Sequence, residues 1–269
     1  MTAAELAALE ALVRSAAQAE LLPRFRNTMR QEKRDGSWVT EADLAMQSHL
    51  AAALAARYPG IPLLGEEMSD AEQARLLAEA GGSDAGLWVL DPLDGTSNFA
   101  AGIPLFSVSL ALMRQGRIEA GIVYDPVGDE SFAALRGHGA TLDGRPLRTP
   151  AAGVPLGKAT ACVDFKRLAP ALGARLGSAP PYSSQRAIGT VALEWCWVAA
   201  GRFHLYLHGQ HKLWDYAAGC LVLEEAGGCA DTLDGRPAPL DLAPRSAACA
   251  SDPRLFGPWL AYLRALAPR

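Results

Sequence analysis

WVLDPLDGTSNF, Trp88 to Phe99, carries an apolar run into two acids three apart, with a proline between them and Gly-Thr after them. Leu87 to Leu90 reads as a short buried strand, and Pro92 bends the chain where that strand ends. A strand closing in such a turn brings Asp91 and Asp94 toward one point, Gly95 lets backbone approach a ligand closely, and Thr96 opens a helix. Hard cations such as Mg²⁺ take carboxylate and carbonyl oxygens, and the free N–H groups at a helix start take an anion. An Asp-rich turn that merely caps a helix fits the same residues.

Outward from this segment the pattern is mixed. Leu105–Met113, Arg117–Tyr124 and Glu130–Leu135 are strand-like runs separated by turns, the signal of a β-meander. Upstream, Pro62-Leu63-Leu64 predicts a short strand running into Gly65-Glu66-Glu67, whose paired acids alone suit a solvated loop equally well. Thr40 is placed to cap a helix over 40–58, and Leu6, Leu9 and Val13 recur at helical spacing near the start. Downstream, WDYAAG at 214–219 predicts a helix with Asp215 at its N-cap and Gly227-Gly228 at its end. Arg148 to Lys158, with two prolines and two glycines, marks a boundary between halves of 1–150 and 151–269. TLDGRPL at Thr141 nearly recurs at Thr232; Asp-Gly suits a two-residue hairpin turn at both places, so one turn type used twice explains the likeness.

Composition narrows the function classes. The chain's 269 residues suffice for one large domain or two packed halves. Half are hydrophobic and 20% charged, which excludes a disordered chain, and a formal charge of −4 argues against nucleic acid or a membrane surface as partner. Charges interrupt each long apolar stretch, and Glu5 and Glu10 stand where a secretory signal would be basic, so a cytoplasmic protein is expected. Five cysteines without a C-x-x-C pair suit reduced thiols better than a disulfide framework or a zinc site.

Spacing alone does not join the three acidic clusters. In order and type, GEE at 65–67, WVLDPLDGTSNF at 88–99 and WDYAAG at 214–219 resemble the three signature motifs of the inositol monophosphatase family. SWVTEAD at 37–43 is similar to that family's N-terminal element, and residues 121–144 resemble its central meander. The resemblance implies a mixed α+β and α/β protein, a layered α-β-α-β-α sandwich, commonly dimeric, acting as a Mg²⁺-dependent, lithium-sensitive phosphomonoesterase. It further implies that Glu66, Asp91, the Leu93 carbonyl, Asp94 and Asp215 hold two or three Mg²⁺ ions, with Glu67 in the adjoining shell. Gly95 and Thr96 would bind phosphate through backbone N–H groups, and Thr96 with Asp43 would orient the attacking water. Lys33 stands in a loop from which a lysine of the family reaches the site.

The chemistry has its own logic. An anionic ester repels hydroxide and its leaving alkoxide is poor; divalent ions address both by acidifying water and neutralising the departing oxygen. On the substrate side the candidates are Asp94, Val191 and His208, at positions the resemblance singles out, and Arg186, a basic residue that could meet a further acceptor. His208 replaces an acidic residue that contacts sugar hydroxyls in the inositol phosphatases, and Val191 replaces a small residue. An imidazole cannot accept two hydroxyl donors as a carboxylate does, so another acceptor-bearing group, such as a second phosphate, enters consideration. Arg186, His211 and Lys212 stand near in sequence. His204 and His208 would share a strand face, but no carboxylate neighbour is evident to build a further metal site. The expected partner is a small phosphorylated metabolite, a sugar or polyol phosphate first. Relatives acting on 3′-phosphoadenosine 5′-phosphate, histidinol phosphate or fructose 1,6-bisphosphate share the same metal motifs. A regulatory protein binding the transcription machinery is the alternative from another class.

Overall fold

The protein is described from a computed structural model covering residues 1–26, 30–32, 38–233 and 240–266, with backbone alone at 30–32 and 38. Lys33 and the second Asp-Gly turn, at 234–235, lie outside the described residues. Helix α1 (Ala3–Glu20) opens on a Thr2–Glu5 capping box, and α2 (Glu41–Arg57) opens on Thr40, whose reciprocal partner is Asp43. Between them β1 (Arg30–Glu32) pairs with β2 (Trp38–Thr40).

The expected meander sits inside a seven-stranded sheet: β3 (Leu63–Gly65), β4 (Leu87–Asp94), β5 (Ser107–Arg114), β6 (Arg117–Asp125), β7 (Glu130–Leu135), β8 (Gly139–Leu142) and β9 (Arg145–Leu147) lie side by side in chain order. Helix α3 (Asp70–Ala80) connects β3 to its parallel neighbour β4, and α4 (Thr96–Ala101) follows β4. Asp143 and Gly144, at φ +51° and +71°, form the two-residue turn between β8 and β9. A second sheet of five strands runs in the order β11 (Ser184–Arg186), β10 (Thr160–Val163), β12 (Leu205–His211), β14 (Arg245–Ala250), β13 (Cys229–Asp231). Its helices are α5 (Pro170–Ser178), α6 (Val191–Ala199), α7 (Leu213–Ala226) and α8 (Pro253–Leu266).

Side-chain alternation fixes the layers. Trp88, Leu90, Leu110, Leu112 and Ile122 pack with Leu9, Val13, Met46 and Leu50 of α1 and α2. The intervening Val89, Ala111, Met113 and Val123 point the other way, into one core with α6, α7 and Cys162, Tyr206 and Cys249 of the second sheet. The opposite face of that sheet, through Ala161, Val163, Leu205 and Leu207, packs on Leu172 and Leu176 of α5 and on Leu255 and Trp259 of α8. The order is therefore α-β-α-β-α, as the resemblance implied. Helix α7 is buried nearly all round because it serves two sheets.

Gly121 is where α7 approaches most closely: a Cβ added there would stand 2.8 Å from the Ala218 Cα. Gly121→Val should push the layers apart and cost about 1–3 kcal/mol, read as a lowered urea midpoint at an unchanged m value; an unchanged midpoint would show that this interface yields.

The described cysteines are free thiols. Burial raises Cys162, Cys196 and Cys249, so none is disposed to act as a nucleophile. No described helix is long and apolar enough to cross a membrane.

Candidate active site

The turn expected at Pro92 is instead a continuation of β4. Asp91 pairs with Ser109 and Asp94 with Ser107, so three steps on β4 span two on β5. This bulge absorbs the proline's missing N–H and puts Asp91 and Asp94, which would face opposite ways in a regular strand, on one side. Gly95 follows at φ +93°, and α4 begins at Thr96. A side chain at Gly95 would meet the carbonyls of Leu105 and Gly189 at 3.1 and 3.2 Å, so glycine is required both for its backbone and for its neighbours.

Each acid is aimed by donors of its own surroundings. Asp91 Oδ1 accepts the Leu93 N–H at 3.0 Å. Asp94 Oδ2 accepts the Thr190 hydroxyl at 2.6 Å, the Ala192 N–H at 2.8 Å and the Ser107 hydroxyl at 3.2 Å. Asp215 Oδ2 accepts the Lys212 N–H at 2.8 Å. Asp215 thus occupies the third position of α7 and not the N-cap, which is Lys212; from there its carboxylate reaches back over the helix start, where the charges of Glu66 and Asp94 act on it.

Glu66 leaves β3 with its N–H on the Leu90 carbonyl at 3.1 Å. Gln73 holds the turn through the Gly65 and Glu66 carbonyls, and Gln47 accepts the Glu67 N–H at 3.1 Å. Glu66 and Glu67 are both half-buried.

Electrostatics tie these groups together. Burial above all, then the charges of Glu66, Asp94 and Asp215, raise Asp91 far above the carboxylate range. Burial and then Glu66 do the same to Asp215. Burial also raises Asp94, against its hydrogen bonds. Among the described residues no three His, Cys, Asp or Glu side chains stand gathered tightly enough to hold an ion; the acids share a field, each tethered by its own donors. In donor type they fit a hard dication: four carboxylates with the Leu93 carbonyl close by, and mutual repulsion that positive charge would relieve.

Asp43 faces the cluster from α2. Its Oδ2 takes the Thr40 N–H and hydroxyl at 2.7 and 2.6 Å, and its Oδ1 lies 3.1 Å from the Thr96 hydroxyl, which is also 3.0 Å from the Leu93 carbonyl. Burial lifts Asp43 to about 6, the Thr40 hydrogen bonds pulling the other way and the Glu66 charge adding to the rise. A carboxyl raised in the folded state holds its proton more tightly there, so its favourable contribution is present below its ordinary pKa and disappears as pH climbs through about 6. The melting temperature of metal-free protein should therefore fall between about pH 4 and pH 7, and less steeply in Asp43→Asn. An identical slope in that variant would take Asp43 out of the titrating set.

The substrate-side expectations fare unevenly. His208 and His211, three apart across a second bulge, end on one face with rings 4.3 Å apart. His208 does have a carboxylate neighbour: its Nε2 lies 3.4 Å from Asp164, brought alongside because β10 and β12 are adjacent. His204 precedes β12, and its Nδ1 instead accepts the Thr160 N–H at 3.0 Å. The exposed Arg186 turns its guanidinium to Ser184 and to the Gln185 carbonyl, and the Lys212 ammonium lies 5.9 Å over the Trp214 ring. A cavity of about 380 Å³ beside α7, lined by Trp195, His211 and Tyr216 among others, includes none of the clustered acids and lies apart from this chemistry.

Sequence reading passed over Ser107, Asn98 and Glu194. Asn98 Nδ2 donates to the carbonyls of Leu105 and Ile188 at 2.8 and 2.7 Å, joining α4 to the chain before α6. Asn98 stands inside the quoted motif, where an amide on a short helix is a signal of such bridging.

Comparison with known proteins agrees with this geometry. The inositol monophosphatase family model matches residues 2–266. The chain is 38% identical over 210 residues to a Pseudomonas aeruginosa protein named Nus factor SuhB, covering 76% of this chain and 75% of that one. It is 35% identical over 223 residues to an inositol-1-monophosphatase of Mesorhizobium japonicum, covering 78% and 77%. Among solved structures, an inositol monophosphatase/NADP phosphatase complexed with Mg²⁺ and phosphate superimposes with a TM-score of 0.81 at 25% identity, over 96% of this chain and 95% of that one. The chain belongs to the inositol monophosphatase family and is a phosphoric monoester hydrolase.

Proposed function

We propose that the protein is a Mg²⁺-dependent phosphomonoesterase acting on a small sugar or polyol phosphate. The observation that supports this reading is the Thr96 hydroxyl on Asp43, 3.1 Å away, beside Asp91, Asp94, Asp215 and Glu66, whose charges act on one another. Glu66, Asp91, the Leu93 carbonyl, Asp94 and Asp215 would hold two or three ions, with Glu67 adjoining. A bound dication supplies charge that offsets the phosphate's own and makes nearby water more acidic.

The chain's own residues do the rest. Gly95 and Thr96 offer backbone N–H groups to phosphate oxygens. The Thr96 hydroxyl, by donating to Asp43, keeps a lone pair with which to accept a hydrogen bond from the attacking water, and Asp43 favours loss of the proton. Asp94, Val191, His208 and Arg186 make the substrate side, where the halves 1–150 and 151–269 meet. His208 has Nε2 beside Asp164 and Nδ1 accepting the Gln210 N–H, so a role for it on the substrate side requires that one of these contacts be exchanged. Homodimerisation in solution is part of the same inference.

The test is phosphate release with Mg²⁺ from inositol 1-phosphate, glycerol 2-phosphate, fructose 1,6-bisphosphate, histidinol phosphate and 3′-phosphoadenosine 5′-phosphate, each with and without lithium. A sugar or polyol ester with the highest kcat/KM, inhibited by lithium, is expected; preference for the nucleotide or histidinol ester would replace the substrate class. The relatives named Nus factor SuhB favour a second reading, a regulatory protein of the transcription machinery. Co-purification with RNA polymerase without turnover of any ester would favour it.

A further inference from the structure

Glu194 lies within α6 and is 2% exposed, yet it falls outside the acidic cluster. Its carboxylate bends back over the start of the helix, where Oε1 accepts the N–H groups of Ile188 at 3.1 Å and Gly189 at 3.3 Å. Cys162 and Tyr206 stand near the same carboxylate, the Tyr206 hydroxyl lying 2.9 Å from His211 Nε2. A buried carboxylate is costly unless it is hydrogen-bonded, and here Oε1 is spent on fixing one turn.

That turn is the one the site depends on. Gly189 stands at φ +78°, and the Ile188 carbonyl is held from the other side by Asn98. Thr190, the N-cap of α6, makes no side-chain cap to its own helix. Its hydroxyl goes to Asp94 instead, alongside the Ala192 N–H. With Oδ2 of Asp94 anchored by Thr190, Ala192 and Ser107, the direction of the other oxygen follows from where this turn sits.

We propose that Glu194 is a positioning residue for the hydrolytic centre, holding residues 188–190 so that Thr190 and Ala192 set how Asp94 presents its second carboxylate oxygen. The proposal rests on the metal-dependent reading above and adds a residue to it. The test uses Mn²⁺ alone as probe, its binding to the full chain followed by electron paramagnetic resonance, with kcat and KM measured in parallel. Glu194→Leu removes the acceptor, whereas Glu194→Gln keeps an oxygen at the same place.

Glu194→Leu should bind Mn²⁺ about 10- to 100-fold more weakly and lose kcat with little change in ester KM, while Glu194→Gln recovers most of the affinity. Thr190→Val should reproduce the loss, and the double substitution with Glu194→Leu should add little to it. Circular dichroism establishes that each variant is folded; should Glu194→Leu not fold, Thr190→Val and Glu194→Gln carry the test. Wild-type Mn²⁺ affinity in folded Glu194→Leu or in Thr190→Val, additive losses in the double variant, or a loss in Glu194→Gln as large as in Glu194→Leu would overturn the proposal. A wild-type chain that binds Mn²⁺ but hydrolyses no ester would instead overturn the phosphatase reading and leave the binding comparison standing.

Discussion

Asp91→Asn and Asp215→Asn should each lower Mg²⁺-dependent phosphate release by roughly a thousandfold or more. Both side chains keep their shape, and Asn Oδ1 can still accept the Leu93 or Lys212 N–H that now aims the carboxylate. What disappears is negative charge at the centre of the cluster. That charge is costly in the fold: burial raises both acids, and Glu66 and Asp94 raise them further. Neutral Asn mimics the protonated form the buried site prefers, so metal-free melting temperature should hold or rise while activity collapses. Opposite signs in stability and turnover separate a functional charge from a structural one. Full activity in either variant would remove that carboxylate from the reaction.

Thr96→Ala should lower kcat about a hundredfold while leaving inhibition by inorganic phosphate nearly unchanged. The backbone N–H groups at Gly95 and Thr96, the donors proposed for phosphate, survive the substitution. The hydroxyl that can donate to Asp43, with the Leu93 carbonyl as its alternative acceptor, is lost. Thr96→Ser restores that hydroxyl and should recover most of the rate. An unchanged kcat in the alanine variant would take Thr96 out of water orientation and leave it a helix-start residue.

Much of this architecture is written locally. The strand-like runs between 105 and 135 yield β5 to β7, and Thr40 announces α2 because an N-cap acts on the helix start beside it. The metal-type acids are legible through their motifs. The bulge in β4 is not, because its register is decided by β5 and not by β4 itself. Asp215 looks like an N-cap until the chain before it shows that Lys212 begins the helix. The partners of Asp94 lie farther off still: Ser107 is 13 residues away, Thr190 is 96 and Ala192 is 98, distances at which local pattern carries nothing. The Asp164 beside His208 is hidden for the same reason, since only the pairing of β10 with β12 brings the two together.

Helices α6 and α7 form the middle layer and belong to both sheets. During synthesis the seven-stranded sheet is complete once residue 147 has emerged, but the cover for its inner face arrives only with Val191–Ala226. A nascent chain halted between those points would display Val89, Ala111, Met113 and Val123 to water. That interval is a window for chaperone engagement and for misassociation between neighbouring polysomal chains, and it closes when the shared layer docks.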